Sequence, residues 1–170
     1  RKQIQCTVMN GAKHNRYNAA TKAPESYFLQ TLFSILNESL IRYAVLRNYE
    51  TLPNSAGGSD LDILVHPEDK RKARAVIAEA IIKAAGVAIG YVNLVNFTKI
   101  SVFGRSKIDG NSWWGVEIDF FWGVYYGGVA QLINNAILSG RFRVQNGIRV
   151  VPEDLAAVLG VAKELLYNDI

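Results

Sequence analysis

The chain has 170 residues, 49% of them hydrophobic and 20% charged, which is the balance of one globular domain with a core of useful size and not of a disordered chain. The net charge of +4 and pI of about 9.2 are mildly basic. They would draw in an anionic nucleotide but are too small to argue for nucleic-acid binding. No apolar run is long enough to span a membrane and no secretory signal is evident, although a start at Arg1 reads as a trimmed or partial chain. The single Cys6 cannot form an internal disulfide and fits a reducing, cytoplasmic setting.

Residues 1–23 are polar, without a period, and read as an arm. Pro24-Glu25-Ser26 opens a helical run through Phe28, Leu29, Leu32, Phe33, Ile35, Leu36 and Leu40. A short β-rich run, Arg42 to Leu46, leads into a loop from Asn48 to Ser59 that carries Pro53, Asn54, Gly57 and Gly58 as turn residues. A strand follows over roughly 60–66. Pro67-Glu68-Asp69 then opens a second helix with Ala73, Val76, Ile77, Ala80, Ile81 and Ala84 on one face, ending near Gly86. Its basic stretch, Lys70 to Arg74, reads as a solvated face.

Three β-like runs come next: Val87 to Val95, Lys99 to Arg105 and Trp113 to Trp122, with a hairpin turn at Asp109-Gly110-Asn111 between the last two. Residues 128–139 look helical. Arg141 to Val151 holds two short β-like pieces around Asn146-Gly147, and Pro152-Glu153-Asp154 opens a last amphipathic helix. Strands and helices are segregated and do not alternate regularly. The expected class is therefore α+β with a mixed or antiparallel sheet, not a doubly wound parallel fold. The organisation expected is a polar arm (1–23), a main domain (24–151) and a C-terminal helix (152–170) that could begin a further helical domain.

The chemistry concentrates in Gly57-Gly58-Ser59-Asp60-Leu61-Asp62-Ile63-Leu64-Val65. Side chains alternate across a strand, so Asp60 and Asp62 share a face. Two carboxylates that close repel, and a cation between them keeps both ionised. Oxygen ligands of this kind suit Mg²⁺ with substrate phosphates. A third acid stands in a matching setting, Glu117-Ile118-Asp119-Phe120-Phe121. Ile118 and Phe120 would face the core, leaving Glu117 and Asp119 on the face of Asp60 and Asp62. If the two acidic strands are neighbours, three carboxylates converge and can hold two divalent ions. Asp119 would then accept the proton of an attacking hydroxyl.

Weaker candidates are read structurally. His14 and His66 have no metal-ligand partners at useful spacing, and Ser59 belongs to no Ser/His/Asp set. Trp122 to Tyr126, just past Asp119, could stack on a base or sugar, and Lys163 on the last helix could reach a triphosphate.

The segment GGSDLDILV, with the later strand VEIDFF, resembles the DNA polymerase β-type nucleotidyltransferase superfamily. The nearer likeness is to bacterial members related to polysaccharide and cell-surface biosynthesis, in which a strand like YAVLRNYETLP precedes the aspartates. It covers roughly residues 27–167. The resemblance implies a minimal α+β nucleotidyltransferase fold followed by the start of a helical region. It also implies Asp60, Asp62 and Asp119 as catalytic metal ligands for Mg²⁺ or Mn²⁺, and transfer of a nucleoside monophosphate with release of pyrophosphate. The partners implied are a nucleoside triphosphate and an acceptor such as a sugar or polysaccharide precursor.

The superfamily's Gly-Ser phosphate grip is replaced here by Leu46-Arg47-Asn48. Arg47 would then bind phosphate through charge, with Asn48, Gly58 and Ser59 beside it, or else pair with Glu50. Two other functions fit the same residues. One is a glycosyltransferase using Asp-x-Asp, and the other is a degenerate module that binds a nucleotide or a protein.

Overall fold

A computed structural model describes residues 23–94, 97–123 and 140–167. The expected arm at 1–23, the helix at 128–139 and the aromatic residues Tyr125 and Tyr126 lie almost wholly outside these residues, as do His14 and Cys6.

The first helix, α1, spans Ser26–Glu38 and buries Phe28, Leu29, Leu32, Phe33, Ile35 and Leu36 along one stripe. It stops earlier than its apolar pattern implies. The Ile41 amide donates to the Leu36 carbonyl and the Leu40 amide to Asn37, with Leu40 at φ +54°. This is a Schellman ending without glycine. Leu40 consequently leaves the apolar stripe and is 77% exposed.

The strands are β1 (Tyr43–Val45), β2 (Leu61–Val65), β3 (Gly86–Asn93), β4 (Phe97–Arg105), β5 (Trp113–Phe121), β6 (Arg143–Gln145) and β7 (Ile148–Val150). They form one seven-stranded mixed sheet in the order β3-β4-β5-β2-β1-β7-β6. β2 runs parallel to β5, and β1 parallel to β7. The remaining neighbours are antiparallel. The class is therefore α+β with a mixed sheet, as the segregated element order requires.

A single 3₁₀ turn, Pro67–Asp69, precedes the second helix α2 (Lys70–Lys83). His66 accepts the Glu68 amide through Nδ1 and caps this turn, so its role is structural. Arg42 fixes the same corner. Its backbone amide and Nε both donate to Asp69 Oδ2, and Nη2 donates to Glu68. As expected, α2 ends just before Gly86, with Ala85 in the left-handed position and Gly86 opening β3. A Cβ at Gly86 would meet Trp114 at 3.1 Å, and one at the paired Gly104 would come within 2.5 Å of the same ring. Both glycines are bare so that Trp114 can lie across them.

The even-numbered residues of β5, Trp114, Val116, Ile118 and Phe120, are buried. Phe28 of α1 stacks on Trp114 at 5.0 Å, and Lys70 and Arg74 of α2 sit over Trp122. Both helices therefore cover this face of the sheet. The core continues through Leu61, Ile63 and Val65 of β2 and Tyr43 and Val45 of β1. The odd-numbered residues, Trp113, Gly115, Glu117, Asp119 and Phe121, belong to the opposite face.

Asn146 and Gly147, both with positive φ, make the tight β6–β7 turn that the Asn-Gly pair predicts. The last helix, α3 (Glu153–Tyr167), sets Leu155, Ala156 and Leu159 against the common core. No helix among the described residues is long and apolar enough to cross a membrane.

Candidate active site

Register brings the acids together. Parallel pairing of β2 with β5 sets Leu61 opposite Ile118 and Asp62 opposite Asp119. Apolar neighbours on either side of each aspartate point to the helices, so both carboxylates are turned to the other face. Asp60, one residue before β2, joins them there. The geometry expected of Asp60, Asp62 and Asp119 is thus present: neighbouring strands and one shared face.

Burial differs sharply among the three. The Asp62 side chain is 4% exposed and that of Asp119 14%, while Asp60 is 42% exposed. Asp62 Oδ1 and Asp119 Oδ1 are buried and, among the described residues, accept no hydrogen bond. An unsatisfied buried carboxylate oxygen is costly and calls for a donor or a cation. Burial pushes the Asp119 carboxyl above its ordinary range. Lys99 works against that push, and the charges of Asp62 and Asp60 add to it.

Two side-chain cations stand among these acids. Arg47 Nε donates to Asp62 Oδ2 in a close ion pair. That bond holds the guanidinium well above its usual range, with Asp60 and Asp119 adding smaller attractions. Arg47 therefore faces the acids and pairs with Asp62 instead of Glu50. Its side chain is still 48% exposed, so part of the guanidinium remains open to a ligand.

Lys99 is the second cation, and sequence reasoning missed it. Its Nζ donates to Glu117 Oε2 at 3.1 Å and to Asp60 Oδ2 at 3.4 Å, and stands 3.6 Å from Asp119 Oδ1. The bond to Glu117 comes first in raising the ammonium pKa. Glu117 is held below its usual range by Lys99 first and by Ser101 second. Glu117 thus belongs to the rim of the cluster as a partner of Lys99. A signal for Lys99 was available, since counting outward from the turn at Asp109 pairs it with Asp119, as β4 and β5 do.

The other expected contacts divide. Asn48 (φ +55°), Gly58 (φ +74°) and Ser59 are exposed in the loop entering β2. The Ser59 amide donates to the Ala56 carbonyl, so this stretch is a turn leading to Asp60. Trp122 is not available for stacking on a base. It is 3% exposed, on the helix-covered side, with its Nε1 donating to Thr98. Arg74 donates to Asn93 and Thr98 and lies over Trp122. The basic run is therefore only partly a solvated face. Lys163 falls where side chains are not described.

Asp60, Asp62 and Asp119 have the donor chemistry for a divalent ion, and the buried oxygens of Asp62 and Asp119 that accept no hydrogen bond among the described residues fit one. Among the described residues, no three His, Cys, Asp or Glu side chains form a ready-made metal cage. Lys99 and Arg47 stand between the acids instead. No family model, curated protein or solved structure matches this chain.

Proposed function

We propose that this protein is a metal-dependent nucleotidyltransferase of the DNA polymerase β type. It would transfer a nucleoside monophosphate from a triphosphate to a hydroxyl or phosphate acceptor, with pyrophosphate leaving. The observation that carries this reading is the in-register pair Asp62 and Asp119, each with a buried carboxylate oxygen that accepts no hydrogen bond among the described residues, that of Asp119 having Lys99 as an ion-pair neighbour at 3.6 Å.

Asp60, Asp62 and Asp119 would hold Mg²⁺ or Mn²⁺. Such an ion, when bound, neutralises triphosphate charge and acidifies the acceptor hydroxyl. The remaining work falls to the chain's own groups. Asp119 would accept the proton of the attacking oxygen. The oxygen bonds to the α-phosphorus as the bond to pyrophosphate breaks. Arg47, half exposed beside Asp62, offers its guanidinium to the phosphates and replaces the missing Gly-Ser grip. The turn at Gly58 and Ser59 sets the entry to Asp60.

One observation favours the module reading. Arg47 and Lys99 already neutralise much of the acid cluster without a metal. Thermal melts with each of the four nucleoside triphosphates, with and without Mg²⁺, separate the two. A ligand at a hundredfold excess over Kd stabilises by about 2.7 kcal/mol. The enzyme reading expects one triphosphate to stabilise the wild type only with Mg²⁺, and Asp60→Asn or Asp62→Asn to lose that response. Stabilisation that ignores Mg²⁺, or that survives both substitutions, would favour the module.

A further inference from the structure

Lys99 has no part in the reading above, yet it is the most connected cation in the site. Its ammonium lies among three carboxylates: Asp60 at 3.4 Å, Glu117 at 3.1 Å and Asp119 at 3.6 Å. Two of these are the acids that would ligate a metal. A divalent ion and this ammonium compete for the same carboxylates, because the two cations repel and each draws on the same negative charge. Metal entry is therefore opposed by Lys99 at Asp60 and Asp119 and eased by its withdrawal.

The ammonium is placed to withdraw. Its side chain is 31% exposed, and a lysine stem is long and flexible. Glu117, on the rim and 48% exposed, can keep it as a partner. A triphosphate arriving on the metal would give it a second anion. Asp62, by contrast, is paired with Arg47 through one oxygen, and its other oxygen accepts no hydrogen bond among the described residues.

We infer that Lys99 is a positioning residue that couples metal binding to nucleotide binding. It is an internal cation that competes with the metal for Asp60 and Asp119 until the nucleotide's phosphates accept it. The inference rests on the nucleotidyltransferase reading. Its consequence has two signs. Without nucleotide, Lys99 weakens metal binding. With nucleotide present, it strengthens binding of the metal–nucleotide pair. Removing its charge should shift the two affinities in opposite directions, which loss of a merely structural contact would not do.

The test uses the whole chain and two titrations. Mn²⁺ alone is titrated by the electron paramagnetic resonance signal of the free ion. The four α,β-methylene nucleoside triphosphates are titrated calorimetrically in saturating Mg²⁺. Lys99→Gln should bind Mn²⁺ more tightly than the wild type, on the order of tenfold, and bind the metal–nucleotide pair more weakly by a similar factor. Lys99→Arg keeps the charge and should resemble the wild type in both titrations. If the wild type binds Mn²⁺ and Lys99→Gln binds it no more tightly, the inference is wrong while the metal reading of the site survives. Both affinities moving the same way in Lys99→Gln would overturn it too. If neither protein binds Mn²⁺, the metal reading itself fails and takes the inference with it.

Discussion

Substituting Arg47 by alanine exposes the energetics of the site without any ligand. Asp62 is 4% exposed, and its Oδ2 is held by Arg47 Nε. Breaking a buried ion pair by removing one partner typically costs about 3–5 kcal/mol, because a charge stays behind in a poor solvent. Here the arginine is 48% exposed and water can reach the vacated position, so the cost is smaller, about 2–3 kcal/mol.

A like charge sharpens the effect. Asp119 sits opposite Asp62 on the neighbouring strand. Two carboxylates about 5 Å apart at an effective dielectric of about 20 repel by roughly 3 kcal/mol, a term Arg47 now offsets in part. For a chain of this size the melting temperature should fall by about 4–12 °C. Urea denaturation followed by circular dichroism measures the change. Adding Asp62→Asn to Arg47→Ala should recover most of the loss, since the stranded charge goes with it. An Arg47→Ala protein within about 0.5 kcal/mol of wild type would refute the reasoning. So would a double variant as unstable as the single one.

Asp119→Asn should stabilise the metal-free protein at neutral pH. Its folded-state carboxyl holds a proton more tightly than usual, so wild-type stability from this group is full at low pH and is lost as pH rises through the raised value. Melts across the acid range should show that loss in wild type and a smaller one in the variant; parallel curves would count against it. Gly104→Ala would drive a Cβ to 2.5 Å from Trp114 Cζ2 and disturb its stack on Phe28, costing about 1–3 kcal/mol and altering the near-ultraviolet aromatic signal. Leu32→Ala, at a fully buried position of α1, should cost about 2–5 kcal/mol in the same denaturation assay with no effect on Mn²⁺ affinity.

Much of the site could be read from alternation alone. Asp60 and Asp62 flank Leu61, and Asp119 lies between Ile118 and Phe120, so each acid's face follows once its strand is accepted. Adjacency of the two acidic strands does not follow from alternation. It depends on β2 pairing in parallel with β5 across the 47 residues of chain, 66–112, that separate them, a long-range choice that local pattern does not encode.

The partners of charged side chains were harder still. Arg47 and Glu50 are close in sequence, yet the chain turns through Asn48 at φ +55° and Arg47 meets Asp62. Trp122 looked available because it follows Asp119. Three residues along a strand reverse the face, and it packs under α2. Gly86 stands just past the end of α2, but close packing against Trp114, and not the helix ending, is what requires glycine there.

The central claim is that Asp62 and Asp119 jointly hold a divalent ion that carries a nucleotide. Crystals grown with Mn²⁺ and an α,β-methylene nucleoside triphosphate test it most directly, through the anomalous signal of manganese. The account predicts a peak at a ligand distance of about 2.1 Å from an oxygen of each aspartate, with phosphate oxygens completing the shell and Lys99 withdrawn from Asp119. Nucleotide bound elsewhere, or an anomalous map without a peak between these two carboxylates, would contradict it.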